Sequence, residues 1–233
     1  EWSTGFERLM NYSNPLPPSL QEFKDFIASC SKGTSSLLYP GSPRIAQEVL
    51  RPIDKKVCFE LHPADAELLT MQFGKQKNMI IRQEDGLKNL KSLLPPPSRR
   101  GCIFIDPSYE LVRDYEAVPE AIADALTRFS TGVYIIWYPL LHRKEATALP
   151  DRILELYSGN RCNIELQIGP ETERGMFGSG LVVINPPWIL KDIIETSLPT
   201  LQEMLGTSES LPAAPKFQAK NSQYRSRCNF YIS

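Results

Sequence analysis

Between Gly101 and Glu110 the chain passes from an unbroken apolar run, Cys102-Ile103-Phe104-Ile105, straight into Asp106-Pro107-Ser108-Tyr109. No other junction constrains the fold as tightly. Consecutive apolar residues of this kind predict a strand buried on both faces, as in a parallel sheet covered by helices. Pro107 has no amide hydrogen to give a ladder and fixes its own φ, so the strand has to stop there. The stop leaves a carboxylate, a backbone carbonyl, a hydroxyl and an aromatic ring at the carboxyl edge of a sheet, where open α/β folds bind their ligands.

The flanking chain repeats that plan. Lys56 to Leu61 reads as a strand ending in an acid, Glu60, and Pro63 opens a helix with Leu68, Leu69 and Phe73 inward. Asn78 to Arg82 is a second strand, followed by Glu84-Asp85-Gly86 and a helix carrying Leu87, Leu90 and Leu94. Beyond the central strand, Pro119 is expected to start a helix, Gly132 to Trp137 to form a strand, and Pro150 to open another helix. Asn163 to Ile168 and Leu181 to Ile184 read as adjacent strands joined by a Gly-rich connection, Arg174 to Gly180. A helix from Lys191 to Leu205 and an alternating segment, Cys228 to Ile232, follow. Residues 1–37 differ in texture. A capping-box pattern, Ser19-Leu20-Gln21-Glu22, precedes Phe23, Phe26 and Ile27 at helical spacing. The expected architecture is a small helical subdomain over 1–37 and an α/β domain over 38–233. That domain is Rossmann-like, with a mostly parallel, doubly wound sheet and an antiparallel edge.

Composition excludes several classes. Formal charge is −1 and the sequence pI about 6.2, so bulk electrostatics do not make this a general nucleic-acid-binding module. No apolar run reaches the length of a membrane span, and no signal-peptide core is present. The five cysteines are scattered and read as reduced core residues, and two histidines far apart suggest no metal site.

Chemistry is expected where acids end successive strands. Glu60, at the end of the second strand of a Rossmann unit, is placed to take the ribose hydroxyls of a nucleoside cofactor. Asp85 in its tight turn, with Gly86, is placed to accept from that cofactor's adenine amine. Asp106 and the Pro107 carbonyl make a pair of acceptors suited to the two hydrogens of an exocyclic base amine. Such an amine is a poor nucleophile because its lone pair is delocalised into the ring, and two acceptors favour a tetrahedral nitrogen. Tyr109 is expected to stack on the base once it is unpaired. The tetrapeptide resembles the D/N/S-P-P-Y/F/W motif of amino-methyltransferases that use S-adenosylmethionine (SAM), with Ser108 in place of the second proline. Asn185-Pro186-Pro187-Trp188 matches that motif better as a string, but lies beyond the strands expected to carry the site and reads as a structural turn.

Over the whole chain the resemblance becomes specific. Tyr39-Pro40-Gly41-Ser42-Pro43, Glu60-Leu61-His62-Pro63, Asp85-Gly86, Ser98-Arg99-Arg100-Gly101, Asp106 to Glu110, Trp137-Tyr138-Pro139, Arg174-Gly175-Met176 and Asn185 to Trp188 occur in this order. In that order they resemble the bacterial 23S ribosomal RNA adenine-N6 methyltransferases of the RlmJ type, class I enzymes that use SAM. The resemblance implies that Ser42, Glu60, Asp85, Gly86 and Asp106 contact the cofactor and that Asp106 is the catalytic acid, with Pro107 and Tyr109 beside it. Ser108, Tyr109, Arg99 and Arg100 are the expected substrate contacts, and no metal is expected. The family's first strand and Gly-rich cofactor loop are expected upstream of Glu1. The implied partner is ribosomal RNA, held transiently by a monomeric, cytoplasmic enzyme without a membrane anchor. A DNA adenine-N6 methyltransferase and a non-catalytic Rossmann-like binding protein remain the alternatives.

Overall fold

The computed structural model describes residues 2–33, 38–171, 175–206 and 216–220. The boundary between residues 37 and 38, Arg174, and the segment from Cys228 to Ile232 lie outside the described residues. Three helices come first, α1 (Trp2–Asn11), α2 (Pro18–Cys30) and α3 (Ser42–Val49). An alternation follows: β1 (Lys56–Phe59), α4 (Pro63–Phe73), β2 (Met79–Arg82), α5 (Gly86–Asn89), β3 (Cys102–Ile105), α6 (Asp114–Arg128), β4 (Val133–Leu141) and α7 (Lys144–Glu155). The chain closes with β5 (Arg161–Gln167), β6 (Met176–Ile184), α8 (Leu190–Leu205) and β7 (Lys216–Lys220).

The described strands form two sheets. β1 and β2 pair in parallel, and a five-stranded sheet runs in the order β3-β4-β6-β5-β7. Within it β3 and β4 are parallel, whereas the β4–β6, β6–β5 and β5–β7 ladders are antiparallel. β1 and β3 therefore each have one ladder neighbour and one edge without a partner among the described residues. The main core lies between the five-stranded sheet and helices α6 and α7, where Tyr134, Ile136 and Tyr138 meet Val118, Ile122, Leu149 and Ile153. α8 covers the opposite face through Leu198, against Cys162, Ile164 and Val183. A separate cluster joins α1 and α2 to the end of α8 through Phe6, Leu9, Ile27 and Met204.

Several local expectations need correction, each for a physical reason. β3 is not buried on both faces: Ile105 is buried, but Cys102 and Phe104 on the other side are open, Phe104 at 47% exposure. Pro119 lies inside α6 and does not start it. A proline there deprives the carbonyl four residues earlier of its helical donor. That carbonyl belongs to Tyr115, and the Arg152 guanidinium of α7 donates to it at 3.0 Å in place of the missing amide. Pro150 is likewise inside α7. Gly178 and Gly180 are strand residues of β6, not a connection, and neither has room for a side chain: a Cβ on Gly178 would sit 2.4 Å from the Leu166 carbonyl oxygen. A Cβ on Gly180 would sit 2.1 Å from Tyr138 Cζ. Ser19 caps nothing: α2 begins one residue earlier at Pro18, and the Ser19 hydroxyl instead meets Ser197 of α8 at 2.7 Å.

Candidate active site

Glu60 and Asp106 follow directly on β1 and β3, Asp85 stands in the turn between β2 and α5, and the local sequence decides how each acid is held. The Glu60 amide extends the β1–β2 ladder by donating to the Arg82 carbonyl at 3.0 Å. Its carboxylate folds over the strand end, where Oε1 accepts from the His62 amide at 2.8 Å. One oxygen is thus fixed by the backbone and the side chain is aimed.

Asp85 caps α5. Its Oδ1 accepts from the Leu87 and Lys88 amides at 3.1 and 3.2 Å, and the Lys88 ammonium stands 3.2 Å from Oδ2. Burial acts to raise its pKa, but the Lys88 amide and ammonium and the Leu87 amide together hold it below the ordinary carboxylate value. Gly86 packs on β1 so closely that a Cβ would lie 3.0 Å from Phe59 Cβ. A larger residue there would push the Asp85 turn off the strand that carries Glu60. Ser42 is the exposed first residue of α3, whose helix packs on β1.

At the end of β3, Asp106 opens to solvent, yet the atoms crowding one side of its carboxyl push its pKa above the ordinary range. Because water reaches the group, that effect is limited. Ser108 is exposed and Pro107 half-buried. Tyr109 turns inward. It has a left-handed φ of 52°, its side chain is 3% exposed, and its hydroxyl donates to the Trp137 carbonyl of β4 at 2.9 Å. Its ring packs on Tyr115 with centroids 4.9 Å apart and on Trp137 at 6.2 Å. Arg143, just past β4 at the same edge, lies over the Tyr115 ring at 5.4 Å.

The structure thus joins Glu60, Asp85 and Gly86 on the β1–β2 sheet, and Asp106, Pro107 and Tyr109 at the carboxyl end of β3. Arg99 and Arg100 do not join them. They precede β3 and stand at its amino edge, so an RNA contact there would be remote from Asp106. Asn185 is also at the opposite edge. It follows β6, antiparallel to β4, and its side-chain amide donates to the carbonyls of Ser130 and Gly132 before β4, each at 2.8 Å. Sequence reasoning missed Tyr115 and Arg152, and offered Arg143, with Lys144, only as a candidate RNA contact. The aromatic after Asp114 was the one available signal, since nothing in the spacing ties Arg143 or Arg152 to it.

No helix among the described residues is long and apolar enough to cross a membrane. Among them no group of three or more His, Cys, Asp and Glu side chains is placed to hold a metal ion. The family model described as "Ribosomal RNA large subunit methyltransferase D, RlmJ" matches residues 1–212. The chain is 38% identical over 207 residues to ribosomal RNA large subunit methyltransferase J of Haemophilus influenzae. It is 37% identical over 206 residues to the protein of that name from Escherichia coli, and each match covers 88% of this chain and 73% of the relative. A crystal structure of a protein from Legionella pneumophila superposes with a TM-score of 0.84 at 33% identity, covering 96% of this chain and 82% of that one.

Proposed function

The chain belongs to the RlmJ family of ribosomal RNA large subunit methyltransferases, and on that premise we propose how its residues transfer a methyl group from SAM to the N6 amine of an adenine in 23S rRNA. The observation that carries the reading is the β3 terminus, where an open carboxylate and the following proline carbonyl stand at a rigid turn. Asp106 accepts one hydrogen of the target amine and the Pro107 carbonyl accepts the other. Held in this way, the nitrogen directs its lone pair at the methyl group and the positive charge that develops on it is stabilised. SAM, when bound, supplies an electrophilic methyl on a sulfonium. The nitrogen then loses one proton to recover neutrality, and Asp106 is placed to take it or pass it to water.

The cofactor's holders are Glu60, Asp85, Gly86, Ser42 and Asp106. Their chemistry fits a nucleoside: the Glu60 oxygen not engaged by His62 suits a ribose hydroxyl, and Gly86, with no side chain, lets the Asp85 turn pack against Phe59. Ser108 borders the base, with Arg99 and Arg100 holding distant RNA backbone. We further propose that a strand outside the described residues pairs with the free edges of β1 and β3. That would unite the two sheets into one doubly wound sheet and bring Glu60 and Asp106 to a shared edge. The helical segment over residues 1–37 is then an appendage anchored on α8. The enzyme works as a cytoplasmic monomer with transient RNA contact.

The test is transfer of labelled methyl by the full-length protein to unmodified 23S rRNA, free and assembled, and to adenine-containing DNA, with the product nucleoside identified. N6-methyladenosine in the RNA alone is expected. DNA labelled as readily would favour the DNA methyltransferase reading, and no transfer to either would leave a binding protein. A second expected result concerns Glu60. Glu60→Ala removes charge-assisted hydrogen bonds worth about 1.5–3 kcal/mol each, so SAM affinity should fall at least tenfold in a protein that still folds. Unchanged affinity by calorimetry would remove Glu60 from the site.

A further inference from the structure

We propose that Arg143 is a substrate-binding residue, a preset guanidinium that takes a phosphate flanking the target adenine while Asp106 and the Pro107 carbonyl hold the adenine's amine. The inference rests on the assignment of that acceptor pair to the reaction.

Four observations carry it. First, with a formal charge of −1 the chain cannot hold RNA by bulk attraction, so contact near the chemistry needs a local cation. Arg99 and Arg100 stand at the far edge of the sheet and cannot supply it. Second, β4 runs on to Leu141, past its last pair with β3 (Ile136 with Ile105), and Arg143 follows at the start of α7. Its backbone is thus carried beyond the Asp106 end of β3. Third, its side chain reaches back to α6, where the guanidinium lies 5.4 Å from the Tyr115 ring centre, and Tyr115 packs on Tyr109 at 4.9 Å. Those two steps bring the cation towards the aromatic that ends the Asp106–Tyr109 turn, about as far from it as a base lies from the phosphates that flank its nucleotide. Fourth, the side chain is still 34% exposed.

The geometry suits a phosphate. Glu145 stands 3.5 Å from Nε, and on the other side burial raises the Tyr115 phenol while the charge of Arg143 offsets part of that rise. Acid and phenol thus hold the guanidinium between them. They engage part of its five N–H donors, and the rest form a fork matched to two oxygens of one phosphate. A side chain stacked and bracketed in this way loses little further freedom when RNA arrives, which strengthens the contact. The fork carries no base information. It sets the register of the strand, so that the nucleotide beside it is the one whose base reaches Asp106.

In the full-length enzyme, Arg143→Gln should raise KM for target-bearing RNA roughly tenfold, since it removes charge-assisted hydrogen bonds to phosphate. At saturating RNA, kcat should stay near the parent value, as should SAM affinity. The salt dependence of KM should weaken by about one phosphate contact. Arg143→Lys keeps the charge without the fork and should fall between. Arg128→Gln removes the same charge from the exposed end of α6, away from Asp106, and should keep the parent KM. Parent KM in Arg143→Gln would overturn the contact. So would a fall in kcat at unchanged KM, which would make Arg143 a support for Tyr115 only.

Altered RNA tests the same contact from the other side. Short RNAs spanning the adenine identified by labelling would carry one uncharged methylphosphonate, placed in turn on each flanking phosphate. The unmutated enzyme should bind one of these roughly tenfold more weakly than the unmodified RNA. Arg143→Gln should bind that RNA and the unmodified one alike, because the contact is already gone. Arg143→Lys, which keeps a cation beside Tyr115, should discriminate between them less than the parent does. Equal binding of the whole series by the unmutated enzyme would sink the proposal, and so would full, additive losses in both variants. Asp106→Ala run in parallel separates the two levels of argument. If it still methylates, the acceptor pair is wrong. If it is inactive while Arg143→Gln keeps the parent KM, only the phosphate contact is wrong.

Discussion

Asp106→Ala is expected to bring methyl transfer down to background while SAM still binds. The carboxylate stands open at the end of β3, and in the proposed reaction it meets charge that appears only as the amine attacks. Removing one such preorganised contact costs about 10²–10³ in rate. Because Glu60, Asp85, Gly86 and Ser42 remain to hold the cofactor, its binding should weaken less than the rate falls. Asp106→Asn keeps one acceptor oxygen and should retain measurable transfer, which separates hydrogen-bond acceptance from charge. Single-turnover rates with RNA at saturation, beside calorimetry with SAM, check both halves. An Asp106→Ala enzyme that methylates at the parent rate would move the chemistry elsewhere.

The sequence made the site's frame legible because its signals are local and covalent. Pro107 just past β3 and Pro63 at the first position of α4 mark where the strands have ended, and acids placed just there fall on the carboxyl edge whatever the distant packing does. What was illegible depended on partners far along the chain. Pro119 looked like a helix start because a proline usually breaks one, and nothing local says that Arg152, far along the chain, will satisfy the Tyr115 carbonyl that the proline leaves without a helical donor. Gly178 and Gly180 looked like a loop because no spacing says that the β5 backbone will crowd the first and the Tyr138 ring the second. Tyr109 shows the limit best: no local pattern foretells that its hydroxyl will donate to the Trp137 carbonyl, a bond that joins two strands.

Asn185→Ala should do the opposite of Asp106→Ala, leaving the chemistry and damaging the fold. The Asn185 side chain donates to the Ser130 and Gly132 carbonyls and accepts from the Tyr157 hydroxyl at 2.9 Å, tying the end of β6 to the start of β4 and to the turn after α7. Its φ is 53°, a region asparagine tolerates and alanine does not. Water can reach Ser130 in the variant, but Gly132 is buried, so its carbonyl loses a partner that solvent cannot replace. Lost hydrogen bonds at about 1 kcal/mol each, with a similar backbone penalty, give about 2–4 kcal/mol of destabilisation. In a chain of this length that lowers the melting temperature by roughly 5–15 °C. Asn185→Gly should recover the backbone part and not the hydrogen bonds, and so melt between the two. Below its own transition, Asn185→Ala should methylate within a few-fold of the parent, because the residue sits at the edge of the sheet opposite Asp106. A folded, SAM-binding Asn185→Ala enzyme that transfers nothing would hand the catalytic role to the motif that looks better as a string.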